Sequence, residues 1–244
     1  DITLAEVLRQ AGYATGGFGK WGLGEEGSTG IPNRQGFDEW FGYLNQVHAH
    51  NYYPEFLYVN ESRLPLANVA PGGVATRRVQ YAPDLITERA LDFIERRKDQ
   101  PFFLYLAYTQ PHANNEARDH GLETPSDEPY SHENWPPNER NFAAMVTGLD
   151  RDIGRVLRRL GELGLDERSL VIFTSDNGPH AEGGHDPTFF QSSGKLRGIK
   201  RSLHDGGIRV PAIARWPGRI SPCVTSDVAA HWDWLPTVAE LSGG

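Results

Sequence analysis

Residues 171–179 read VIFTSDNGP, an apolar run that ends in an Asp-Asn pair on a Gly-Pro turn. The run has the length and branching of a buried strand. The turn offers a carboxylate oxygen from Asp176 and an amide oxygen from Asn177 on consecutive residues at the strand's carboxyl end. Two hard oxygen donors so placed suit a Ca²⁺ or Mg²⁺ ion, although an Asn-Gly pair alone also makes an ordinary turn. Three other segments set polar residues at the ends of apolar runs: GFGKWGLG (17–24), YTQPHANN (108–115) and RGIKRSLHDGGIRVP (197–211). They contribute Lys20, His112 and Lys200. Two ammonium groups and a divalent cation neutralise the oxygens of a tetrahedral anion, and an imidazole can protonate a leaving oxygen. Sulfate and phosphate esters match that chemistry. Lysine is scarce elsewhere, with only Lys98 and Lys195 besides the two in these segments.

Outward from these segments the chain alternates strand and helix. Thr3 and Glu6 form a capping-box pattern before an apolar stripe of Leu4, Val7 and Leu8, and Gly12 closes that helix. Residues 13–18 form a short strand that delivers Lys20. Residues 84–97 carry Ile86, Ala90 and Ile94 on one helical face. PFFLYLAY (101–108) reads as a strand buried on both faces, with His112 just beyond it. The strongest period follows: Phe142, Val146, Leu149, Ile153, Val156, Leu157, Leu160 and Leu163 predict a core helix. Strands at 169–174 and 209–214 and a helix from Leu235 complete the series. This order predicts an α/β fold, three layers α/β/α around a largely parallel sheet. In such sheets ligands bind beyond the carboxyl ends of the strands, where Lys20, His112 and Asp176 all fall. Residues 24–82 and 114–137, rich in Gly, Pro and Asn, read as long loops. Tyr52, Tyr53, Phe56 and Tyr58 in the first could stack on a sugar or aryl ring, or pack over the sheet.

The 244 residues carry a formal charge of -8, which argues against a nucleic-acid partner, since phosphate backbones reward clustered basic residues. No apolar window is long enough to span a membrane. Cys223 is the only cysteine and has no partner for a disulfide. His180 and His185, in PHAEGGHD, are read as belonging to a flexible loop, and Arg209 as a partner of Asp205.

The motifs resemble those of the sulfatase family, within the alkaline phosphatase superfamily. GKWGLG is similar to the family's GKWHLG signature, PHAN to the segment with its strand-end histidine, FTSDNGP to its metal-binding turn, and GIKRSLHDGGIRVP to its GxK...EGGxRVP signature; WPG (216–218) and WDWLPT (232–237) fit as well. The resemblance covers nearly the whole chain. It implies an alkaline phosphatase-like fold and hydrolysis of aryl or carbohydrate sulfate esters. Lys20 and Lys200 would hold sulfate oxygens, His112 would meet the leaving oxygen and supply a proton, and Asp176 with Asn177 would ligate Ca²⁺, or Mg²⁺. The family's nucleophile is a formylglycine made from Cys or Ser in a CxPSR-type sequence. Its partners would be sulfated small molecules or glycans, and its location periplasmic or secreted; nothing in the sequence fixes an oligomeric state.

Three departures bear on that reading. No CxPSR or SxPSR occurs, and Cys223 precedes Val-Thr-Ser. The family's first strand, with its two metal-binding aspartates, is absent as well. Both point to a partial catalytic domain that lacks the nucleophile strand and the small C-terminal domain. Third, Gly22 stands where the family has a histidine that helps collapse the covalent intermediate; His48 and His50 in QVHAHNYYP are the candidates to replace it, with His50 favoured. The competing functions are a phosphate or phosphonate monoester hydrolase of the same superfamily and a catalytically dead protein that binds sulfated ligands.

Overall fold

The computed structural model describes residues 1–243. Helix α1 (Leu4–Gln10) opens on the expected capping box: the Thr3 amide donates to the Glu6 carboxylate at 2.8 Å, and the Glu6 amide donates to the Thr3 hydroxyl at 3.1 Å. Strands β1 (Ala14–Lys20), β2 (Glu39–Tyr43), β3 (Phe56–Val59), β4 (Ser62–Pro65) and β5 (Phe102–Ala107) form one sheet in the order β4-β3-β2-β1-β5. Its centre is parallel, because β1 runs with both β2 and β5; β3 and β4 extend it as an antiparallel hairpin. Strands β6 (Val171–Thr174) and β7 (Ala212–Arg215) pair antiparallel with each other.

Side-chain alternation along β1 sets the two faces. Phe18 meets Phe93 of helix α2 (Ala82–Arg97) edge-on at 5.6 Å, in a cluster with Ile86, Ala90 and Phe41. Helix α3 (Pro137–Glu162) packs on α2, and its Val156 and Leu160 close over Ile94. On the other face Phe37 stacks on Phe103 and meets Trp40 and Trp21, with α1 against β1 and against helix α5 (Trp234–Ser242). The result is a mixed, mostly parallel central sheet flanked by helices.

Four expectations change. The stretch 24–82 is not loop throughout but supplies β2, β3 and β4. Its glycines and aromatics hid the strands, although Asn60 at φ 54°, between paired Val59 and Ser62, is a two-residue hairpin signal. The loop 114–137 contains a 3₁₀ segment over Asn115–His120. Strand β5 is not buried on both faces: it is the sheet's edge, and Tyr105, on the face that Phe37 covers only in part, is 42 % exposed. Helix α3 buries Met145, Asp152, Val156 and Leu160 while Val146 is exposed. Its buried face keeps Val156 and Leu160 of the predicted stripe, has Met145 in place of Val146, and takes in polar Glu139 and Asp152.

Candidate active site

Lys20 is the last residue of β1, His112 lies on the turn after β5, and Asp176 and Asn177 follow β6. Lys200 is carried by the loop ahead of the short helix α4 (Asp205–Ile208); its backbone amide donates to the Pro179 carbonyl at 2.8 Å, which ties that loop to the Asp-Asn turn. Asp176, Lys200 and Glu182 all act electrostatically on the Lys20 ammonium. Burial pushes the Lys20 pKa down, Lys200 adds to the push, and the two carboxylates oppose it. The groups singled out in sequence thus converge.

The protonation of His112 follows from its neighbours. Nδ1 lies 2.7 Å from the Ala113 carbonyl oxygen, which can only accept, so Nδ1 carries the hydrogen. The Nε2 lone pair then faces the Lys200 ammonium, which donates to it at 3.0 Å. Burial first, and the Lys200 charge next, push the His112 pKa down to about 4. The imidazole is neutral at neutral pH, and the mobile proton of the pair rests on Lys200.

His50 lies over this ring, its imidazole stacked on that of His112 with centroids 5.0 Å apart and planes 11° from parallel. Its Nδ1 sits 3.0 and 3.3 Å from the two oxygens of Glu116. A carboxylate accepts, so Nδ1 is the protonated nitrogen and Nε2 is left as the basic one. A side chain at residue 22 would be strained here, since Gly22 is held at φ 91° and its Cβ would require the exposed Gln46 side chain to shift. His48, the other histidine of the motif, packs on Tyr43 and Phe56, and burial pushes its pKa down to about 4.

Two acidic residues absent from the sequence reading complete the site. Glu116 is one; Glu182 is the other. Its Oε2 accepts from the Lys200 ammonium at 3.1 Å and lies 3.6 Å from His112 Nε2, while Oε1 is 2.6 Å from the Arg201 guanidinium. Burial alone would raise the Glu182 pKa, but Lys200 and Arg201 outweigh it and hold the carboxyl at about 2.

The segment that bears Glu182 is not a flexible loop. His180 is only 6 % exposed; its Nε2 donates to the Pro111 carbonyl at 2.9 Å and its Nδ1 accepts from the Glu182 amide at 3.0 Å. His185 is 4 % exposed, donates from Nδ1 to buried Glu139 at 2.7 Å and stacks on Phe142 with centroids 3.7 Å apart. Both imidazoles are framework: His180 spends both ring nitrogens on anchoring the chain, and His185 spends Nδ1, its Nε2 being buried without a hydrogen-bond partner. Between them Gly184, at φ 83°, passes so close to Asn138 that a Cβ would lie 2.1 Å from its Nδ2. Arg209 pairs with Asp205 at 3.5 Å, on the surface, as expected.

The first-loop aromatics prove to be packing rather than a platform. Tyr52 is fully buried, its hydroxyl 2.8 and 2.7 Å from the carbonyl oxygens of Thr109 and His112, so it props the His112 turn. Tyr53 and Tyr58 are buried too, and Phe56 packs beside Tyr58.

The fit to a hard cation is partial. Asp176 is exposed, and Asn177 Nδ2 donates to the Gly178 carbonyl at 3.0 Å, which leaves the amide oxygen as the free atom. Among the described residues no group of three or more His, Cys, Asp and Glu side chains converges on one point. Asp176 and Asn177 would therefore hold one side of a Ca²⁺ shell that takes six to eight oxygens.

The comparisons with known proteins agree. The Sulfatase family model matches residues 2–244. Human arylsulfatase A is 32% identical over 274 residues, covering 100% of this chain and 48% of that protein. The N-acetylgalactosamine-6-O-sulfatase of Bacteroides thetaiotaomicron is 29% identical, covering 98% of this chain and 56% of that one. The crystal structure of Ps i-CgsB in complex with k-i-k-neocarrahexaose superposes with a TM-score of 0.76 at 26% identity, over 98% of this chain and 53% of that one. The chain spans about half the length of the curated relatives it matches. A motif order read from sequence, a site assembled at the ends of β1, β5 and β6, and a family match along almost its full length lead to one conclusion: the chain belongs to the sulfatase family.

Proposed function

We propose that the protein is a sulfuric ester hydrolase acting on a sulfated carbohydrate, with Lys20, Lys200, His112 and His50 as its working residues in this chain. The observation that carries the reading is the Lys200–His112 pair, one mobile proton held between an ammonium and a neutral imidazole beside a second lysine. Lys20 and Lys200 bind the anionic oxygens of the ester. As negative charge grows on the leaving oxygen, a proton moves to it from the pair, with Lys200 the source and His112 Nε2 able to relay it. His50 Nε2, kept free by Glu116, accepts a proton from the group that attacks or collapses. A Ca²⁺ ion held by Asp176 and Asn177 would supply positive charge next to the transferred group. The preference for a carbohydrate rests on two relatives: the Bacteroides enzyme is an N-acetylgalactosamine-6-O-sulfatase by name, and Ps i-CgsB is seen in complex with k-i-k-neocarrahexaose.

The nucleophile lies outside these residues in this reading. Cys223 is exposed and its setting, SPCVTS, does not match the family motif. Strands β5 and β6 support a strand between them that bears it. Phe102, Leu104 and Leu106 of β5 and Val171 of β6 pack on the same Ile94–Val156–Leu160 cluster, yet the two strands do not pair with each other. Peptide mapping and sulfate release by the protein from its native source test this. An aldehyde on an upstream Cys or Ser together with release of sulfate from sulfated saccharides is the expected result. A mature protein without that residue that releases no sulfate would leave an anion-binding protein instead.

A further inference from the structure

A carboxylate inside an anion-binding site works against its own ligand unless it discriminates. Glu182 is such a group: 12 % exposed, ionised, bonded to one of the two anion-binding lysines and within 3.6 Å of the histidine at the leaving oxygen. It is not a mobile counter-ion that swings out when substrate arrives. Its own amide is bonded to His180, and His180 and His185 pin the backbone on either side to Pro111 and Glu139. Its Oε1 is engaged by Arg201, whose backbone is held at φ 75°. The negative charge is thus a fixed part of the pocket.

The charges facing the ligand settle what that fixed carboxylate does. Lys20 and Lys200 contribute two positive charges, Asp176 and Glu182 two negative ones, and neutral His112 none. A sulfate monoester carries one negative charge and a phosphate monoester, once fully ionised, carries two. Repulsion from Glu182 therefore falls twice as heavily on the phosphate ester. We propose that Glu182 is a specificity-determining residue that selects monoanionic sulfate esters over dianionic phosphate esters of the same shape. The proposal rests on the sulfatase reading above and adds to it a group that rejects the isosteric competitor, the repulsive half of specificity. The size of the effect follows from Coulomb's law. An anion about 3 Å beyond the Lys200 ammonium sits about 6 Å from Glu182. One extra unit charge there, in an effective dielectric of about 20 to 40, is worth between about tenfold and a hundredfold in affinity.

Benzylsulfonate and benzylphosphonate, non-hydrolysable anions of equal shape and unequal charge, provide the test. Their dissociation constants are measured by calorimetry at a pH where the phosphonate is a dianion, using the protein expressed from its complete coding sequence. Glu182→Gln removes the charge and keeps the shape; Glu182→Asp keeps the charge. The expected result is a preference for phosphonate over sulfonate that rises about tenfold or more from wild type to Glu182→Gln, and no such rise in Glu182→Asp. A rise of less than about threefold in Glu182→Gln, or an equal rise in both variants, overturns the proposal while leaving the anion site intact. If the wild type binds neither anion, the anion-site reading itself fails and the proposal falls with it. Should Glu182→Gln fold poorly, Arg201→Gln replaces it. With its Arg201 partner gone, the carboxylate repels the dianion more strongly, and the preference must shift toward the sulfonate; a shift toward the phosphonate overturns the proposal.

Discussion

At the scale of single residues the site depends on which atom holds each proton. Lys200 is bonded to His112 and Glu182 at once, so in the proposed mechanism Lys200→Met removes both an anion contact and the source of the leaving-group proton. A fall in kcat of about 10²-fold or more is expected in the complete enzyme, measured by steady-state turnover of an aryl sulfate; an unchanged kcat with a raised KM would reduce Lys200 to a binding group. Glu116 acts through His50. Glu116→Gln offers a side chain that can also donate, and so permits the wrong tautomer of the imidazole. The expected loss is about 10- to 100-fold in kcat with KM little changed, accompanied by an altered acidic limb of the pH–rate profile. Lys20, His112 and the Asp-Asn turn were legible in sequence because each sits on a glycine- or proline-marked strand end, and Lys200 because it lies in a glycine-rich motif ahead of α4. Glu116 and Glu182 were not, since each acquires its role from a partner 66 or 18 residues away that only the fold supplies.

At the scale of elements, the segment 179–186 shows how composition misleads. Two glycines, two histidines and several polar residues read as a mobile surface loop, whereas both histidines are buried and anchor the chain through His180 Nδ1 and Nε2 and His185 Nδ1. Sequence carries no mark that distinguishes a solvated histidine from one that stacks on a phenylalanine. Gly184→Ala tests the rigidity, because the backbone there is left-handed and Asn138 leaves no room. Destabilisation of at least about 1 to 2 kcal/mol is expected in denaturant unfolding, and a variant as stable as the parent would mean the segment relaxes freely. The same limit applies to β2, β3 and β4. Strand β2 is interrupted by Gly42, and β3 and β4 are four residues each, β4 ending in Pro65, so none is long enough to announce itself by period, while α2 and α3, longer and periodic, were legible to within a few residues.

At the scale of the whole molecule, burial of neutral histidines makes stability depend on pH. His48 and His112 titrate near 4 in the folded chain, below their ordinary value, so the unfolded chain binds protons first as the pH falls. Stability is full above about pH 6.5 and is lost progressively down to about 4. Glu182, also held below its ordinary value, adds a further loss between 4.5 and about 2. The urea midpoint should therefore drop from neutral pH toward pH 4, and His48→Phe should make that drop smaller, leaving the share that His112 contributes; a flat midpoint over that range would contradict the assignment. One last feature belongs to the sheet's centre. Where β1 ends, Gly19 passes so close to its neighbour that a Cβ would stand 2.0 Å from the Ala107 carbonyl oxygen. Main chain touches main chain at that point, with no side chain between to be repacked. The following lysine is thus surveyed from a fixed benchmark, and a change in the surrounding loops leaves the place of its charge at the end of β1 undisturbed.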